Sequence, residues 1–581
     1  MIRLTEIKLP LDLTDDALHN ALQQAILKTL GLAPVELAGF TVFKRSFDAR
    51  KAQLLQVYIV DAALADAARE ASLLALHAGH PHIGPTPDMA YRPVAQAPAD
   101  LPLRPVVVGF GPCGIFAAHT LATMGFKPIV LERGKTVRQR TKDTWGLWRR
   151  RELNPESNVQ FGEGGAGTFS DGKLYSQIKD PRHLGRHVMN EFVKAGAPAD
   201  ILVEAHPHIG TFKLVKVVEN MREQIIAMGG EIRFEQRVTD LHLEDGPDSP
   251  PNGQPKARQV RGLTVLDQAT GLSHELRADH VVLALGHSSR DTFAMLHRRG
   301  VYVEAKPFSV GFRIEHPQGL IDRARWGRHA GHPALGAAEY RLVHHAHNGR
   351  AVYSFCMCPG GTVVAATSEA QRVVTNGMSQ YSRNERNANA GIVVGIDPKD
   401  YPTDPRAFAA TLGDSYAAEA EGLQRVHPLA GVVLQRQLES HAYVLGGSSY
   451  EAPGQLVGDF VAGKASSQLG EVEPSYKPGV KLGDLATALP TYAIEAIREA
   501  IPAFGKKIKG FDRHDAVFTG VETRTSSPLK MTRGEDFQSI NVRGLYPAGE
   551  GASYAGGILS AGVDGIKVAE AVARHIVGSS R

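Results

Sequence analysis

The stretch PVVVGFGPCGIFAAHTLATMGFKPIVLE, residues 105–132, decides the fold. It opens with a short apolar run of the kind that forms a strand buried on both faces of a parallel sheet. The glycine-rich turn GFGPCG and an apolar helical run follow, and KPIVL then forms a second buried strand that ends at Glu132. This order of strand, helix and strand predicts a β-α-β unit with parallel strands.

The turn carries three glycines in the spacing GxGxxG, directly after a strand and directly before a helix. Gly109 permits the tight turn, Gly111 lets the backbone approach a pyrophosphate, and Gly114 lets the helix pack closely on the sheet. The start of the helix offers unpaired N–H groups and partial positive charge to phosphates. Glu132 can accept hydrogen bonds from a ribose and would repel the 2′-phosphate of NADP. The pattern predicts a site for FAD or NAD.

Three later glycine loops favour FAD over NAD. FGEGGAGTFSDGKLYS covers residues 161–176, HVVLALGHSS places Gly286 after another buried strand, and AGEGASYAGGILS precedes the last helix. One nicotinamide site needs fewer such loops, whereas a long FAD molecule would contact several. The helix that begins near Gly557 and Ile558 would direct its positive end toward the pyrimidine side of a reduced flavin.

Composition places the chain among globular proteins. Of 581 residues, 43% are hydrophobic and 22% are charged, and a net charge of +4 is too small to indicate nucleic acid by itself. Three cysteines without a CxxC pair exclude a disulfide-stapled secreted domain and a dithiol centre of the common spacing. The sequence has no run of 18 apolar residues and no signal-peptide core at its start, which predicts a cytoplasmic protein without a membrane partner.

Eight strings spread along nearly the whole chain carry a family resemblance: KRSFDARK, GFGPCG, SNVQFGEGGAGTFSDGKL, GFRIEHPQ, MCPGGTVV, NGMSQYSRNERNAN, ETRTSSP and LYPAGEGASYAGG. They resemble the uncharacterised FAD-dependent dehydrogenases, NAD(P)/FAD-dependent oxidoreductases of the two-dinucleotide-binding-domain flavoprotein type. The resemblance implies FAD as cofactor, an FAD-binding domain in two or more chain pieces, and an inserted substrate domain. It implies no particular substrate.

The resemblance also assigns residues to parts of the cofactor. Glu132 and the glycines of the first turn would hold the ADP half, and the backbone at Val238 would meet the adenine. Glu550 stands where related flavoproteins carry an aspartate that contacts the ribityl chain or pyrophosphate. The complete predicted cofactor-binding set is Gly109, Gly111, Pro112, Cys113, Gly114, Glu132, Arg133, Gly165, Ala166, Gly167, Val238, Gly286, Gly549, Glu550, Gly557 and Ile558. The sequence identifies no catalytic acid or base and predicts no metal site.

The predicted fold is α/β with three parts. Residues 1–95 have the order β-α-β-β-α-β of a ferredoxin-like module, with Met89–Arg92 as its last strand. A Rossmann-like FAD-binding domain is predicted over 96–300 and 516–581, and an α+β substrate domain is inserted at 301–515. A strand is predicted over Glu231–Glu244. The polar, Pro-rich stretch 245–258 is predicted to be a loop.

Cys356 and Cys358 admit two interpretations. Regular alternation along a strand would place both thiols on one face, about 7 Å apart, which is too far for disulfide closure without backbone movement. This favours two buried apolar cysteines over a redox-active pair. The histidine tract at 344–347 lacks companion ligands, which favours ordinary histidines over a metal site. Glu163, Lys173 and Arg524 are expected to be solvated or ion-paired rather than catalytic.

The sequence leaves two questions open, the identity of the electron partner and the role of two basic stretches. Because a second GxGxxG is missing from the sequence, the partner is expected to be a small molecule over the flavin or another protein. Basic residues cluster at 44–51 and 133–151, which admits an RNA-binding surface, although solvated faces are favoured. The leading prediction is an FAD-dependent oxidoreductase. An RNA-associated flavoprotein and a non-catalytic flavin-binding protein remain as alternatives.

Overall fold

A computed structural model describes residues 1–13, 15–49, 53–245 and 258–579. Most of the predicted loop at 245–258 and the basic end of the 44–51 stretch lie outside the described residues.

The N-terminal module is an antiparallel sheet with two helices packed on it. Its elements are β1 (Ile2–Pro10), α1 (Asp15–Leu30), β2 (Leu37–Asp48), β3 (Leu55–Leu64), α2 (Ala67–Leu76) and β4 (Ile83–Pro85). The sheet order β2-β3-β1-β4 is that of a split β-α-β sandwich. The prediction of a strand at Met89–Arg92 is wrong, because Asp88 accepts a hydrogen bond from the Ala90 amide (3.0 Å) and closes a turn there.

Residues 106–305 form the core of the nucleotide-binding region. The elements are β5 (Val106–Val108), α3 (Pro112–Thr123), β6 (Ile129–Leu131), α4 (Val137–Arg150), α5 (Leu184–Lys194), α6 (Thr211–Ala227), β7 (Glu231–Arg233), β8 (Gln236–Asp245), β9 (Arg258–Asp267), β10 (Leu272–Arg277), β11 (Val281–Leu283), α7 (Arg290–Arg298) and β12 (Glu304–Ala305). The prediction of a single strand over Glu231–Glu244 is wrong, because this segment forms the two strands β7 and β8. The chain turns at Glu235, which has φ of +56°, so β7 and β8 enter different sheets.

The rest of the chain completes both the inserted domain and the nucleotide-binding region. Its elements are β13 (Phe308–Pro317), α8 (Gln318–Trp326), β14 (Val343–His345), β15 (Ala351–Ala365), β16 (Thr375–Ser379), β17 (Asn387–Ile396), α9 (Pro405–Leu412), α10 (Asp414–Ala420), α11 (Ala430–Leu445), β18 (Ala452–Leu456), α12 (Val457–Ala462), β19 (Val480–Leu482), α13 (Thr491–Lys507), β20 (Val517–Glu522), β21 (Leu529–Lys530), β22 (Val542–Arg543), β23 (Leu545–Pro547) and α14 (Ile558–Ser579).

A five-stranded parallel sheet, in the order β23-β11-β5-β6-β7, confirms the predicted β-α-β unit and the Rossmann-like fold. Its strands are short and apolar, and β5, β6, β11 and β23 are buried along their whole length. Because all five strands are parallel, the loops after β5, β6, β11 and β23 leave from the same edge of the sheet. This edge carries the glycine loops.

The inserted domain is built on an eight-stranded sheet, in which β14-β15-β17-β13-β20-β18-β19 form the main path and β16 pairs with β15. Strand β20 is fully buried and pairs antiparallel with both β13 and β18. The sheet therefore extends beyond the predicted boundary at residue 515. The pairing of β20 assigns the segment VFTGVE to the sheet of the inserted domain.

Candidate functional site

A cavity of about 750 Å³ opens at the carboxyl edge of the parallel sheet. This volume is in the range of pockets that hold small molecules and cofactors. Its wall brings together the loops after β5, β6, β11 and β23, the glycine loop at 161–176, and residues 339–343 and 354–357 of the inserted domain. All predicted cofactor residues line the cavity except Gly114 and Gly549.

The two exceptions support the wall from behind. A Cβ at Gly114 would lie 1.9 Å from the carbonyl oxygen of Gly109, so this glycine lets α3 pack against the turn. The amide of Gly549 donates to Asp564 in α14 (2.8 Å), and Asp564 is also paired with Arg533. Both residues shape loops whose neighbours face the cavity.

The glycine turn brings two loops into close contact. Gly109 has φ of +100°, and Gly165, with φ of +62°, would place a Cβ 2.8 Å from the Cα of Gly111. Gly111 is the N-cap of α3 and supplies no side-chain cap, so first-turn N–H groups of the helix remain free to bind an anion at this end of the cavity.

Glu132 connects three loops through hydrogen bonds. Its carboxylate accepts from the backbone amides of Phe110 (2.9 Å), Gly134 (2.8 Å) and Gly162 (3.0 Å), and its side chain is buried. The predicted ribose contact stays a prediction. The sequence pattern located this carboxylate, but not its three amide partners.

Behind the second glycine loop lies a buried cation that the sequence analysis missed. Arg140 is fully buried and donates to the carbonyls of Asn158, Val159 and Glu163, each at 2.7 Å, and burial lowers its pKa to about 10. The carboxylate of Glu163 pairs with Arg222 (2.8 Å) and accepts from the Val137 amide (2.7 Å). Glu163 is thus ion-paired, as expected, and supports the loop that lines the cavity.

The start of α14 forms another part of the cavity wall. Gly556, Gly557 and Ile558 line it, and a Cβ at Gly167 would lie 3.0 Å from Ile558. The N-terminal end of α14 lines this part of the wall, and its first turn contains no acidic residue that would neutralise the positive end of the helix dipole. Glu550 lies here beside the buried His287, with 3.3 Å between Oε2 and Nδ1.

Where the inserted domain meets the loop at 161–176, the cavity wall is polar and charged. Lys173 lies 3.6 Å from Glu339, which also contacts Arg383 at 3.0 Å and His206 at 3.7 Å. Burial alone would raise the pKa of Glu339, but these cationic neighbours lower it below the ordinary value. The ring of Tyr175 stacks on His206 with centroids 4.8 Å apart.

A buried ion cluster fixes this wall to the nucleotide-binding region. Glu439, which is fully buried, pairs with Arg290 (2.8 Å) and Arg524 (3.0 Å), and Arg290 also reaches Glu369 (2.9 Å). Burial raises the pKa of Glu439, but the two guanidinium groups outweigh it and lower the pKa to about 2. Arg524 lines the cavity and donates to Ser288 (3.0 Å). Of these charged residues, only Arg524 lies in a motif recognised in the sequence, ETRTSSP.

The strand geometry expected for the cysteines is wrong. Cys356 has φ of +43°, and the pairing of β15 with β17 shifts register between Phe355 and Cys358, so regular alternation is broken. Cys358 is buried, whereas Cys356 is only half-buried and lines the cavity. Regular alternation therefore does not separate the two thiols, because a β-bulge turns the chain at this point.

Two histidine groups could suggest metal ligands. In the tract at 344–347, both His344 and His347 are paired with Glu499, at 2.8 and 2.9 Å. His297, Glu419 and His427 bring ligand atoms within 4.8 Å of one another. The Nδ1 of His427 accepts a hydrogen bond from the Leu429 amide, which places its proton on Nε2, the atom that faces Glu419.

The basic stretch at 133–151 is largely neutralised by ion pairs. Arg133 pairs with Glu156 and Asp291, both at 2.8 Å, and Arg138 pairs with Glu219 at 2.6 Å. Further pairs are Lys135 with Asp143, Arg150 with Glu152, and Arg151 with Glu451. The choice between solvated faces and an RNA-binding surface stays a prediction. Within the part of the chain that the structure describes, no helix is long and apolar enough to cross a membrane.

The residues around the cavity fit FAD. Gly111 and Gly165 carry no side chains beside the uncapped start of α3, where a pyrophosphate could reach backbone N–H groups, and the start of α14 lines the same cavity. Gln236, Arg237 and Val238 line the same cavity on the side predicted for the adenine. One elongated cofactor could thus contact both helix starts.

Comparison with known sequences identifies relatives of the chain. Residues 307–525 match the family described as FAD-dependent protein, C-terminal domain-like, and residues 1–63 match a domain of unknown function. An uncharacterized protein of Clostridium beijerinckii is 44% identical over 577 residues, which cover 99% of this chain and 98% of that protein.

Solved structures show only distant likeness. The open conformation of a flavocytochrome c3 fumarate reductase has a TM-score of 0.32 and 13% identity over 82% of this chain and 78% of its own. L-amino acid deaminase from Proteus vulgaris has a TM-score of 0.31 and 11% identity over 84% of this chain and 96% of its own. At these TM-scores the likeness supports no conclusion about this chain.

Proposed function

Because this chain belongs to a family of FAD-dependent proteins and has FAD as its cofactor, we propose that it is an oxidoreductase, more narrowly a dehydrogenase, acting on a small molecule. Bound FAD supplies hydride and two-electron transfer. The observation that carries the proposal is the cavity of about 750 Å³, which joins the glycine turn, the start of α14 and the wall of the inserted domain.

Different residues of the chain would bind different parts of FAD. The free N–H groups at the start of α3 would bind the pyrophosphate, next to the close contact between Gly111 and Gly165. Glu132 holds the three loops in place through its amide hydrogen bonds. The dipole of α14 would stabilise negative charge on the pyrimidine side of a reduced flavin. FAD would be bound non-covalently, at about one per chain.

The substrate would bind between the flavin and the wall of the inserted domain. Lys173, Glu339 and Arg341 line this part of the cavity and carry charges of both signs, which favours a polar substrate.

The described residues contain one five-stranded parallel sheet with a glycine fingerprint, and its fingerprint is assigned to FAD. We therefore expect direct oxidation of NADH or NADPH to be slow, with a small molecule or a carrier protein as electron partner. A cytoplasmic location stays a prediction from the sequence.

The first test is the flavin itself. The purified protein should be yellow, and acid should release a flavin that comigrates with FAD in chromatography. Anaerobic mixing with a panel of polar electron donors, followed by absorbance of the oxidised flavin, should identify a donor that bleaches it. A colourless protein that does not take up added FAD would contradict the proposal. A yellow protein that no donor bleaches, but that dithionite reduces, would favour a non-catalytic flavin-binding protein.

A further inference from the structure

The bulge in β15 brings two thiols together at the cavity wall. Cys356 lies within the register shift between Phe355 and Cys358 and has φ of +43°, a left-handed conformation that a non-glycine residue adopts at an energetic cost. The Sγ of Cys358 lies 3.4 Å from the carbonyl oxygen of Cys356, so its side chain is folded back toward the other cysteine. The Cys358 side chain is thereby close enough to influence the pKa of the Cys356 thiol.

Cationic groups surround the pair. Arg313 donates to the Cys356 carbonyl (2.9 Å), and its guanidinium reaches the Sγ of Cys358 at 4.0 Å. The ammonium group of Lys173 donates to the carbonyl of Met357, between the two cysteines. The Cys358 hydrogen bond is the largest influence on the Cys356 thiol, and with Arg313 and Lys173 it lowers the pKa of Cys356 to about 6. A thiolate of this kind is the reactive form of cysteine.

A buried carboxyl group completes the surroundings. Glu522 on β20 pairs with Arg313, with 3.2 Å between Oε2 and Nε, and accepts from Thr375 at 3.4 Å. Burial is the main cause that raises the pKa of Glu522 to about 7, and the negative charge of Cys356 adds to it. A carboxyl group with this pKa can take up or release a proton near neutral pH.

We propose that Cys356 and Cys358 form a redox-active dithiol that exchanges two electrons with bound FAD, an inference that rests on the proposed function. In the oxidative direction both S–H groups lose their protons and an S–S bond forms between the two Sγ atoms. FAD takes up the two electrons and two protons and becomes FADH2. In the reverse direction FADH2 cleaves the disulfide and restores both thiols. The half-exposed position of Cys356 in the cavity wall provides the access to the flavin.

The test counts electrons in the yellow protein. A disulfide is a two-electron couple, so anaerobic dithionite titration of the air-oxidised wild type should consume about four electrons per FAD. Cys356→Ser and Cys358→Ser should each consume about two. Met357→Leu, a substitution of similar volume between the cysteines, is the matched control and should keep about four.

A second measurement needs no variant. Trypsin releases residues 351–372, a peptide that contains both cysteines of the pair and no other. Before reduction this peptide should resist alkylation and weigh two hydrogen atoms less than the dithiol form. After reduction by the flavin it should accept two alkyl groups.

The outcomes separate this inference from the proposed function. A yellow wild type that consumes about two electrons per FAD, with peptide 351–372 always alkylated twice, would overturn the dithiol and leave the flavoprotein intact. Protein that neither contains nor takes up FAD would overturn both. Four electrons in wild type and two in each cysteine variant would establish the second redox centre.

Discussion

The two walls of the cavity are built in different ways. The nucleotide wall, the turn at 109–114 with the loop at 161–167, is formed mainly by backbone and glycine, and a Cβ at Gly109, Gly114 or Gly165 would clash with neighbouring backbone. The wall of the inserted domain is held by buried charges such as Glu439 and Arg313, whose partners are distant in sequence. Sequence motifs therefore describe the first wall well, whereas the second depends on the assembled fold.

The largest effect is expected when a charge is removed behind the second wall. Glu439→Gln would leave Arg290 and Arg524 buried without their shared counter-ion, and breaking a buried pair costs about 3–5 kcal/mol. Chemical denaturation should show this loss. Glu473→Gln, at an exposed pair with Arg386, is the control and should change the free energy of unfolding by less than about 1 kcal/mol. Equal effects at both positions would mean that the buried cluster is not needed for stability.

The same pair of proteins gives a prediction for acid. The pKa of Glu439 is lowered in the folded state to about 2, so its contribution to stability is complete above its unfolded pKa of about 4.3. That contribution is lost as the pH falls through the folded value. The difference in unfolding free energy between wild type and Glu439→Gln should therefore be constant at neutral pH and shrink below about pH 4. A difference that grows on acidification would contradict this assignment.

On the nucleotide wall, Gly114→Ala should disturb both fold and cofactor. Its Cβ would lie 1.9 Å from the Gly109 carbonyl oxygen, so the turn or the helix must move, at a cost of about 1–3 kcal/mol. Melting temperature and FAD content should both fall. Gly395→Ala, where a Cβ meets nothing within 4 Å, is the matched control and should leave both nearly unchanged. A Gly114→Ala protein with normal FAD content would show that the close approach can relax.

Gly111 allows the ligand to be separated from the fold. A Cβ at this position would make only ordinary contact, 3.5 Å from the Cα of Gly165, so Gly111→Ala should leave the apoprotein stable. The added methyl would occupy the pyrophosphate position, and we expect FAD affinity to fall about tenfold, or 1.4 kcal/mol. Gly111→Val should abolish binding. Fluorescence titration of apoprotein with FAD measures both, and unchanged affinity would show that the pyrophosphate lies elsewhere.

The smallest expected effect concerns the reactivity of a single thiol. In the reduced protein, alkylation of Cys356 by iodoacetamide should rise with pH around a midpoint near 6, compared with about 8.5 for an ordinary cysteine. Mass spectrometry of peptide 351–372 measures the rate. Cys358→Ala removes the main cause of the low pKa and should raise the midpoint. The pKa values of Cys113 and Cys358 are raised, so these thiols should react slowly at neutral pH.

The sequence by itself determined the nucleotide wall. The spacing of Gly109, Gly111 and Gly114 between two apolar strands predicts the β-α-β unit, because each glycine meets a local requirement of that turn. Glu132 and the glycine loop at 161–176 follow from the same local rules. The family resemblance then assigned FAD to the nucleotide wall, and this assignment required no information on long-range contacts.

Only the tertiary structure decided the rest. Strand β20 belongs to the inserted sheet because its pairing partners, β13 and β18, lie far away in sequence. Arg290 and Arg524 also lie far from Glu439 in sequence, so no local sequence pattern predicts that they form ion pairs with it. The bulge at Cys356 overrides regular alternation because neighbouring β17 fixes the register, which is a property of the sheet rather than of the CMC sequence. Sequence motifs reflect what the backbone requires over a few neighbouring residues. Buried ion pairs and strand register depend instead on contacts that form only when the chain folds.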